Sequence, residues 1–365
     1  MRIGYSFWGF LGPGIVDTPD GGRSHRRTLI DALGKRWPVA TTEATASPVV
    51  FLQPNRDLEE AGLDLRDRYT WDGGFPDIDA LFLEWRWPIG GRNTTPCGST
   101  GHTCDLHRQA ALVKHYTQGL GTPTLLWDKD LQLPTADPLR RHPAVTVCEA
   151  ALHPSPSARS LLFPVADNAL DRADPGELTA RPRPLPLVYI GNQYDRDELF
   201  DQFFAGAAYH VEHRVAGKWT RTESWPHVAF TGRCSYPDVE RLYRTSLATV
   251  LLLPDRYSRV GQMTQRVFES VLAGCLPLTP AIFRSASTFT PPELHVHGAG
   301  DVVRTVRWLH DHQGSREHMD LVAACVRRLD VFRVSRQILT IASILDGNAA
   351  SPSDGVSAGR PLETT

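Results

Sequence analysis

The stretch RVFESVLAGCLPLTP, residues 266–280, decides the fold class because it contains a helix, the end of that helix and a buried strand. Its periodicity predicts a helix from Thr264 to Ala273, and Gly274 is the residue type that most easily ends a helix. The apolar run at residues 276–278 has the composition of a buried parallel strand. A helix followed at once by such a strand is typical of a Rossmann-like α/β unit.

The same alternation continues on both sides of this segment. Residues 248–253 predict an apolar strand, and residues 237–245 predict the helix before it, with Pro237 suited to a first turn. Further strands are predicted at residues 2–7, 49–52, 80–83, 124–127, 145–147, 161–163, 187–190 and 228–230, and further helices from residue 24, at 105–118, at 195–207 and within 302–345. Two successive βα arrays predict an α/β fold of two facing Rossmann-like domains with a cleft between them.

A polar, proline-rich segment from about residue 166 to 186 separates the two arrays and predicts an interdomain linker. The region after residue 348 is rich in Ser, Gly, Pro and Ala, which is typical of a disordered tail. The predicted organisation is an N-terminal domain at 1–170, a linker at 171–186, a C-terminal domain at 187–330, a C-terminal helix at 331–347 that packs back on the N-terminal domain, and a tail at 348–365.

Composition and charge exclude several classes of protein. The chain has 365 residues and a formal net charge of -2, whereas a purely electrostatic nucleic-acid binder is usually basic. Six cysteines in a chain of this length predict free thiols rather than a disulfide framework. The opening MRIGYS lacks the apolar region of a signal peptide, and no apolar run reaches the ~18–20 residues of a membrane span. We therefore expect a cytoplasmic protein. The G-x-G-x-x-G fingerprint and the Walker loop are both absent from the sequence.

The residues around Glu269 resemble the donor-site helix of group 1 and CgeB-like (spore-maturation) glycosyltransferases of the GT-B fold. The resemblance covers roughly residues 187–280 and includes the Gly232-Arg233 loop. It implies a hexosyltransferase whose co-substrate is a nucleoside diphosphate sugar, with a UDP-sugar favoured. It implies that Glu269 accepts hydrogen bonds from the ribose hydroxyls, that Arg266 meets the diphosphate, and that Gly232 and Arg233 lie near the nucleobase.

One position departs from this pattern. Retaining group 1 enzymes carry a second Glu eight positions before the helix Glu, and Gly261 stands there in this chain. The missing carboxylate favours an inverting reaction. The turn at Gly191, Asn192 and Arg196 follows a strand and opens a helix, a setting that favours a phosphate. With cationic side chains at the diphosphate, we expect transfer without a metal or other cofactor.

The N-terminal domain is expected to bind the acceptor and supply a general base. Gly22 and Arg23 belong to a glycine-rich loop that resembles the first loop of GT-B enzymes, in which the backbone approaches the donor. An inverting reaction needs a carboxylate beside the acceptor hydroxyl. Three carboxylates are candidates, namely Asp20 in the glycine-rich loop and Glu84 and Asp128 directly after predicted strands, and the sequence does not choose among them.

Cys97, His102, Cys104 and His107 crowd into one short segment and carry zinc-ligating side chains. Their spacing, Cys-x4-His-x-Cys-x2-His, matches no established zinc motif, so the sequence assigns no metal ligand and leaves zinc as an alternative.

The acceptor also stays open. Trp, Arg and Lys residues interleave at 85–92 and at 214–225, and such sets can stack bases and neutralise phosphates. A hydroxymethylated pyrimidine base in DNA, as in the phage DNA glycosyltransferases that share the GT-B fold, is therefore an alternative acceptor to a small molecule or a glycan. An alternative of another class is a non-catalytic protein that binds a nucleotide sugar or a glycan in the same cleft.

Overall fold

The computed structural model describes residues 1–6, 25–37, 49–51, 70–71, 74–91, 93–100, 102 and 105–349. These residues form two parallel β-sheets with helices packed on them, which confirms the predicted fold class. Asp20, Gly22 and Arg23 lie outside the described residues, as does the chain from residue 350 onward. None of the helices that the structure describes is both long and apolar enough to cross a bilayer.

The first sheet has seven parallel strands in the order β3-β2-β1-β4-β5-β6-β7. Strands β4 and β5 are buried along their whole length, as expected for a parallel sheet covered on both faces. The order reverses between β1 and β4, which pair directly, and ligands of such sheets bind at the carboxyl ends beside that switch. The strands are β1 (Ile3–Ser6), β2 (Val49–Phe51), β3 (Thr70–Trp71), β4 (Ala80–Glu84), β5 (Thr124–Asp128), β6 (Val145–Glu149) and β7 (Arg159–Ser160).

The second sheet has six parallel strands in the order β10-β9-β8-β11-β12-β13. Its switch point lies between β8 and β11, so residues 191 and 251 begin the loops at this sheet's ligand-binding edge. The strands are β8 (Leu185–Ile190), β9 (His213–Ala216), β10 (Phe230–Gly232), β11 (Ser246–Val250), β12 (Leu276–Pro280) and β13 (His295–Val296).

Helices connect the strands of both sheets. In the first lobe they are His25–Arg36, Asp105–Leu112 continued as a π-helix over Val113–Gly119, and the 3-10 turn Pro138–Arg141. In the second lobe they are Asp197–Leu199 continued through Phe200–Ala205 and Gly206–Ala208, Tyr236–Thr245, Asp255–Ser258, Arg266–Leu272, Ala286–Phe289, Pro292–Leu294, Ala299–Asp311, Arg316–Arg328 and Leu329–Phe332.

The last described helix, Val334–Ala349, crosses back to the first lobe. Its side chains Ile338 and Ile341 are buried in the same apolar cluster as Ile3 and Tyr5 of β1. Both the first and the last described residues therefore belong to the first lobe, and the second lobe is formed by the residues that lie between these two parts of the chain in sequence.

The linker predicted at 171–186 is more structured than its composition suggests. It begins at the last residue of the short helix Asp167–Asp171 and contains the helix Pro175–Thr179, and its last two residues already belong to β8. The Arg183 side chain is buried and donates to the carbonyl oxygens of Tyr243, Ser246, Leu178 and Ala273 at 2.7–3.0 Å. One guanidinium group thus ties the linker to the ends of three elements of the second lobe.

Other predicted elements differ from the structure in their bounds. The strand predicted at 161–163 is wrong, because pairing with β6 involves residues 159–160 and Leu161 follows it. Strands β3, β9 and β13 were not predicted. Two of them lie at or near sheet edges and have two residues each, and β9 has a mixed sequence without a continuous apolar run. Cys148, Cys234, Cys275 and Cys325 form no disulfide, as expected.

Candidate active site

The two lobes meet through loops that follow the carboxyl ends of their strands. After β5, the Asp130 carboxylate accepts a hydrogen bond from the Tyr257 hydroxyl at 2.5 Å, and its carbonyl oxygen accepts one from Arg256 at 3.2 Å. Gln262 donates to the carbonyl oxygen of Lys129 at 2.6 Å. Burial, followed by the adjacent Asp130, raises the pKa of Tyr257, which therefore stays a neutral donor. The ligand-binding edges of the two sheets thus face one another.

A second contact explains the residue at position 261. The Leu152 amide donates to the Gly261 carbonyl at 3.2 Å, and the His153 amide donates to the Val260 carbonyl at 3.0 Å. Gly261 has φ +63°, and a Cβ there would lie 3.1 Å from the carbonyl oxygen of Arg284. A glutamate at this position would be strained, and its Cβ would lie 3.4 Å from Leu152 and His153 of the first lobe. Gly261 therefore serves the packing of the lobes.

The turn after β8 is built from closely packed backbone. The Gly191 amide donates to the Ala216 carbonyl at 2.8 Å, and the Gly191 carbonyl accepts from the Trp219 indole at 2.7 Å. Gly217 has φ +141°, and a Cβ there would lie 2.1 Å from the Gly191 oxygen, so position 217 needs glycine. Asn192 continues the turn and accepts from the Lys218 amide at 2.8 Å. The tight turn leaves room for a side chain from another element.

That side chain is Arg266. A Cβ at Gly191 would lie 3.0 Å from a guanidinium nitrogen of Arg266 and 2.7 Å from the Tyr189 hydroxyl. The same hydroxyl accepts a hydrogen bond from Arg196 at 3.0 Å. Two predicted donor-site arginines, from segments 70 residues apart, are therefore brought to the Gly191 turn, Arg266 directly against Gly191 and Arg196 through the Tyr189 hydroxyl.

Arg196 is held differently from what the sequence suggests. The sequence predicts a mobile charge, but the side chain is 7% exposed and donates to the Asn192 carbonyl at 2.8 Å. Ion pairs among the described residues involve its neighbours instead, as in the pairs Arg221–Asp197 and Arg256–Asp195, and leave both Arg196 and Arg266 without a carboxylate partner. The cavity of about 530 Å³ beside Arg196 is lined by four arginines and four carboxylates, and Arg266 is not part of its lining. The charges that favour an anion are therefore those of Arg196 and Arg266, which have no carboxylate partner among the described residues.

Glu269 lies on the same helix as Arg266, and the two described residues do not form an ion pair with each other. The carboxylate is half-buried and close enough to the Tyr243 phenol to raise the pKa of that group further, although burial of Tyr243 is the larger cause. A cavity of about 460 Å³ adjoins Glu269, Arg244 and Phe268. The Tyr243 hydroxyl is buried without a hydrogen-bond partner among the described residues, and the sequence did not single it out.

The loop after β10 lies beside the Gly191 turn. The Gly232 carbonyl accepts from the Gly217 amide at 2.8 Å, and Gly232 has φ +75°. Arg233 is exposed and precedes the capping box of Ser235 and Asp238, which begins the helix Tyr236–Thr245. Gly232 is thus joined to the turn, whereas Arg233 lies at its solvent-facing rim.

On the first lobe, Glu84 ends β4 at the switch point of the sheet. Its carboxylate is fully buried, accepts a hydrogen bond from the Tyr5 hydroxyl at 2.7 Å and forms an ion pair with Lys129. Because the Lys129 backbone also contacts Gln262, Glu84 lies directly behind the lobe contact. Of the described candidate bases, it is the one at the cleft's switch point.

Asp128 has a different environment. Its two carboxylate oxygens accept hydrogen bonds from the Gln132 and Leu133 amides at 2.9 and 2.7 Å, so they close the turn after β5. Burial raises the pKa of this carboxyl, against the lowering effect of those two amides. These contacts indicate that Asp128 stabilises the loop after β5, and they count against a catalytic role.

His25 brings the first lobe against the start of the Arg266 helix. Its Nδ1 lies 2.8 Å from the Gln265 side-chain oxygen, and its ring packs edge-on against Phe163. The sequence pattern did not identify His25 or Gln265 as partners, because they are 240 residues apart.

The structure divides the Trp and Arg sets between buried and exposed side chains. Arg86 is buried and forms an ion pair with Asp105. Trp225 is buried, and the half-buried Trp219 packs beside it on Phe200. The basic side chains of the second set are exposed, namely Arg214, Lys218 and Arg221. The nucleic-acid interpretation of the two sets therefore stays a prediction.

Comparisons with known proteins concern the fold alone. No protein-family model matches the chain, and no curated protein matches its sequence. The solved structure of T4 phage β-glucosyltransferase with UDP-glucose is similar, with a TM-score of 0.63, 12% identity and coverage of 95% of this chain and 100% of that one. Anabaena HepE with UDP-glucose has a TM-score of 0.55 at 10% identity, over 95% and 100% of the two chains. A Rickettsia africae glycosyltransferase has a TM-score of 0.58 at 9% identity, over 96% and 99%. The chain therefore has the GT-B fold.

Proposed function

We propose that this chain transfers a sugar from a UDP-sugar to a hydroxyl acceptor, with the donor on the second lobe. The observation that carries the proposal is that Arg266 lies against Gly191 beside the Tyr189 hydroxyl, to which Arg196 donates. Neither guanidinium group has a carboxylate partner among the described residues. A diphosphate supplies the missing negative charge and accepts several of their N–H donors.

Glu269 fits the ribose of the same donor. It lies one helical turn after Arg266, so the two side chains project from one face. A carboxylate accepts hydrogen bonds from both hydroxyls of a ribose, and the Tyr243 hydroxyl adds a donor and acceptor nearby. The solved structures of T4 phage β-glucosyltransferase and Anabaena HepE hold UDP-glucose on the same fold, which supports uridine as the nucleoside.

We propose inversion without a catalytic metal. A first-lobe carboxylate accepts the proton of the acceptor hydroxyl, the hydroxyl oxygen attacks the anomeric carbon, and the bond from that carbon to the diphosphate breaks as UDP leaves. Gly261 leaves no second carboxylate at the position that retaining group 1 enzymes use. Arg266 and Arg196 stabilise the charge on the departing diphosphate. Because T4 phage β-glucosyltransferase has also been solved with UDP and Mn²⁺, metal independence needs its own measurement.

The base is Glu84 or Asp20. Glu84 ends β4 at the switch point of the first sheet, where ligands of parallel sheets bind. Asp20 is the second candidate and lies outside the described residues. Glu84 is enclosed by Lys129 and Tyr5, which belong to the same lobe, so an acceptor reaches it only if these side chains move on binding.

A hydroxymethylated base in DNA is a second candidate acceptor. The favouring observation is that similarity to T4 phage β-glucosyltransferase, described as a DNA-modifying enzyme, extends over 100% of that chain. HepE matches over the same share of its own length, so the fold does not choose the acceptor. To decide between a DNA acceptor and another acceptor, the enzyme and UDP-glucose are incubated with a duplex that contains hydroxymethylcytosine and, as a control, with the unmodified duplex. Glucosylation of the hydroxymethylated duplex alone supports DNA as the acceptor. Turnover of a small acceptor without transfer to either duplex excludes DNA.

Donor turnover tests the central proposal. Hydrolysis or transfer is measured with UDP-, GDP- and dTDP-sugars for the wild type, Arg266→Gln and the control Arg241→Gln, whose side chain is on the surface. We expect UDP-sugar turnover, a roughly tenfold or larger rise in donor KM for Arg266→Gln, and no change in the control. Added Mg²⁺ or Mn²⁺ should leave the rate unchanged. UDP-sugar binding without turnover for any acceptor would indicate a non-catalytic binding protein, and no binding would refute the proposal.

A further inference from the structure

The loop after β5, residues 129–133, connects the candidate base Glu84 to the second lobe. Its first residue, Lys129, is buried and forms an ion pair with the Glu84 carboxylate, which is buried as well. Burial of a carboxylate is costly unless a positive charge and hydrogen bonds accompany it. Lys129 is the cation that the described part of the chain brings to Glu84.

The Lys129 side chain and the carboxylate are both fixed by neighbouring groups. The Lys129 ammonium nitrogen lies 5.3 Å from the centre of the Trp127 ring, within the range of a cation–π contact. On the side of β1, the Tyr5 hydroxyl donates to the Glu84 carboxylate at 2.7 Å. A hydrogen-bond donor on β1 and a cation after β5 therefore both favour the charged form of Glu84.

Other charged side chains around this loop have partners of their own. The pairs among the described residues are Arg86 with Asp105, Arg140 with Asp128 and Glu149, and Arg256 and Tyr257 with Asp130. Each of these contacts satisfies a carboxylate or a loop carbonyl at the ends of β4, β5 and β6. The charge that acts directly on Glu84 can therefore be changed at Lys129 without breaking these pairs.

The second lobe holds the loop at two successive residues. The buried side chain of Gln262 donates to the Lys129 carbonyl oxygen at 2.6 Å. The next residue, Asp130, accepts from the Tyr257 hydroxyl at 2.5 Å. Gln262 and Tyr257 belong to the segment that leads into Arg266, which we assign to the diphosphate. The segment that reaches the donor therefore also contacts the residue paired with the candidate base.

The backbone between these contacts is strained. Leu131 has φ +53°, a left-handed conformation that a bulky side chain rarely adopts. Asp128 closes the other side of the loop through the Gln132 and Leu133 amides, at 2.9 and 2.7 Å. Such a residue persists when its surroundings determine its conformation, and strained residues concentrate at functional sites. Contacts from both lobes therefore hold the loop in this conformation.

We propose that Lys129 is a positioning residue for the transfer reaction, which keeps the Glu84 carboxylate charged and in place, and that Gln262 holds Lys129 from the donor lobe. The inference rests on the proposed function with Glu84 as the base. Without the ammonium group, the buried carboxyl group would keep its proton to higher pH and could not accept one from the acceptor hydroxyl.

The pH dependence of kcat, measured with saturating UDP-sugar and acceptor, tests the role of Lys129. In Lys129→Met we expect the acid limb of the profile to move up by about 1–3 pH units, with UDP affinity within about twofold of the wild type. Lys129→Arg restores a cation and should return the limb most of the way. The exposed control Lys114→Met should keep the wild-type profile. A wild-type acid limb in Lys129→Met overturns the proposal.

Gln262→Met tests the link to the second lobe. This substitution removes the donor to the Lys129 carbonyl but leaves both charges of the ion pair in place. We expect kcat to fall roughly three- to tenfold, and the acid limb to move up by less than in Lys129→Met, with UDP affinity unchanged. Gln118→Met, which alters an exposed side chain, is the matched control. Wild-type kcat and pH profile in Gln262→Met would refute the role of Gln262.

The wild-type profile covers the case in which the variants do not fold. A carboxylate beside a cation stays charged down to about pH 5, whereas a buried carboxyl group without one can keep its proton up to about pH 8–9. We therefore expect a level kcat between about pH 6 and 7.5, and an acid limb above about pH 7 contradicts the proposal. Failure of the proposed function is distinguishable, because the wild type would then neither bind nor turn over a UDP-sugar at any pH.

Discussion

The guanidinium group of Arg266 lies against the α-carbon of Gly191, at a distance where a Cβ on Gly191 would come within 3.0 Å of it. The two residues belong to different βα units of the second sheet, Gly191 after β8 and Arg266 before β12. Their contact brings a cation to the switch point of that sheet, where the order of strands opens a crevice for a ligand. The donor site that we propose depends on this contact.

Replacement of Gly191 by alanine tests that contact directly. The new methyl would lie 2.7 Å from the Tyr189 hydroxyl and would displace Arg266. We expect UDP affinity, measured by calorimetry, to fall roughly ten- to hundredfold, which corresponds to about 1.4–2.8 kcal/mol. Gly300→Ala is the matched control, because its Cβ meets nothing closer than 3.7 Å within a helix. UDP affinity of Gly191→Ala equal to the wild type would show that the diphosphate binds elsewhere.

The variants Glu84→Gln and Asp128→Asn should distinguish a carboxylate that acts in catalysis from one that stabilises a loop. If Glu84 is the base, Glu84→Gln lowers kcat by roughly 10²–10⁴-fold with UDP affinity unchanged. Asp128→Asn weakens two bonds to buried amides and should lower the free energy of unfolding by about 1–3 kcal/mol, with kcat within a few fold of the wild type. Both are measured with a saturating acceptor and by urea unfolding. Wild-type kcat in Glu84→Gln would move the assignment to Asp20.

Arg183→Met should destabilise the protein strongly. The substitution leaves four carbonyl groups at the linker and the ends of the second lobe's elements without their donor, at a cost of about 3–5 kcal/mol. Arg181→Met, two residues earlier and exposed, should cost less than about 0.5 kcal/mol. Urea unfolding of both variants provides the comparison. A small change in Arg183→Met would mean that the linker does not hold the second lobe together.

His318 should make stability depend on pH. Burial, with the nearby Arg183 charge as the smaller cause, lowers the pKa of this imidazole from 6.5 to about 4. Because the folded-state pKa is below the unfolded one, the unfolded chain binds the proton first, so stability is full above pH 6.5 and falls as the pH drops toward 4.

The variant His318→Gln should show a weaker loss of unfolding free energy between pH 6.5 and 4, while the exposed control His310→Gln keeps the wild-type dependence. Urea unfolding at several pH values measures both. An unchanged slope in His318→Gln would assign the acid sensitivity to other groups.

Local pattern determined much of the architecture. The apolar runs of β4, β5 and β11 and the glycine after residue 273 predict strands and a helix end, because burial on both faces of a parallel sheet demands continuous apolar sequence. The same pattern placed Arg266 and Glu269 on one helix face and Gly191 in a turn. Each of these features depends on residues within one or two turns of each other, so the sequence alone determined them.

Only the tertiary structure decided which distant residues meet. The burial of Arg196, the four bonds of Arg183 and the lobe contact at Gly261 depend on sheet order and on loops far apart in the chain. Arg196 has the sequence character of a surface residue, yet the fold encloses it. Composition records which side chains are polar or aromatic, whereas burial depends on what packs over them. The group of Cys97, His102 and His107 combines both levels, since the three residues are close in sequence but their separations are set by the folded loop.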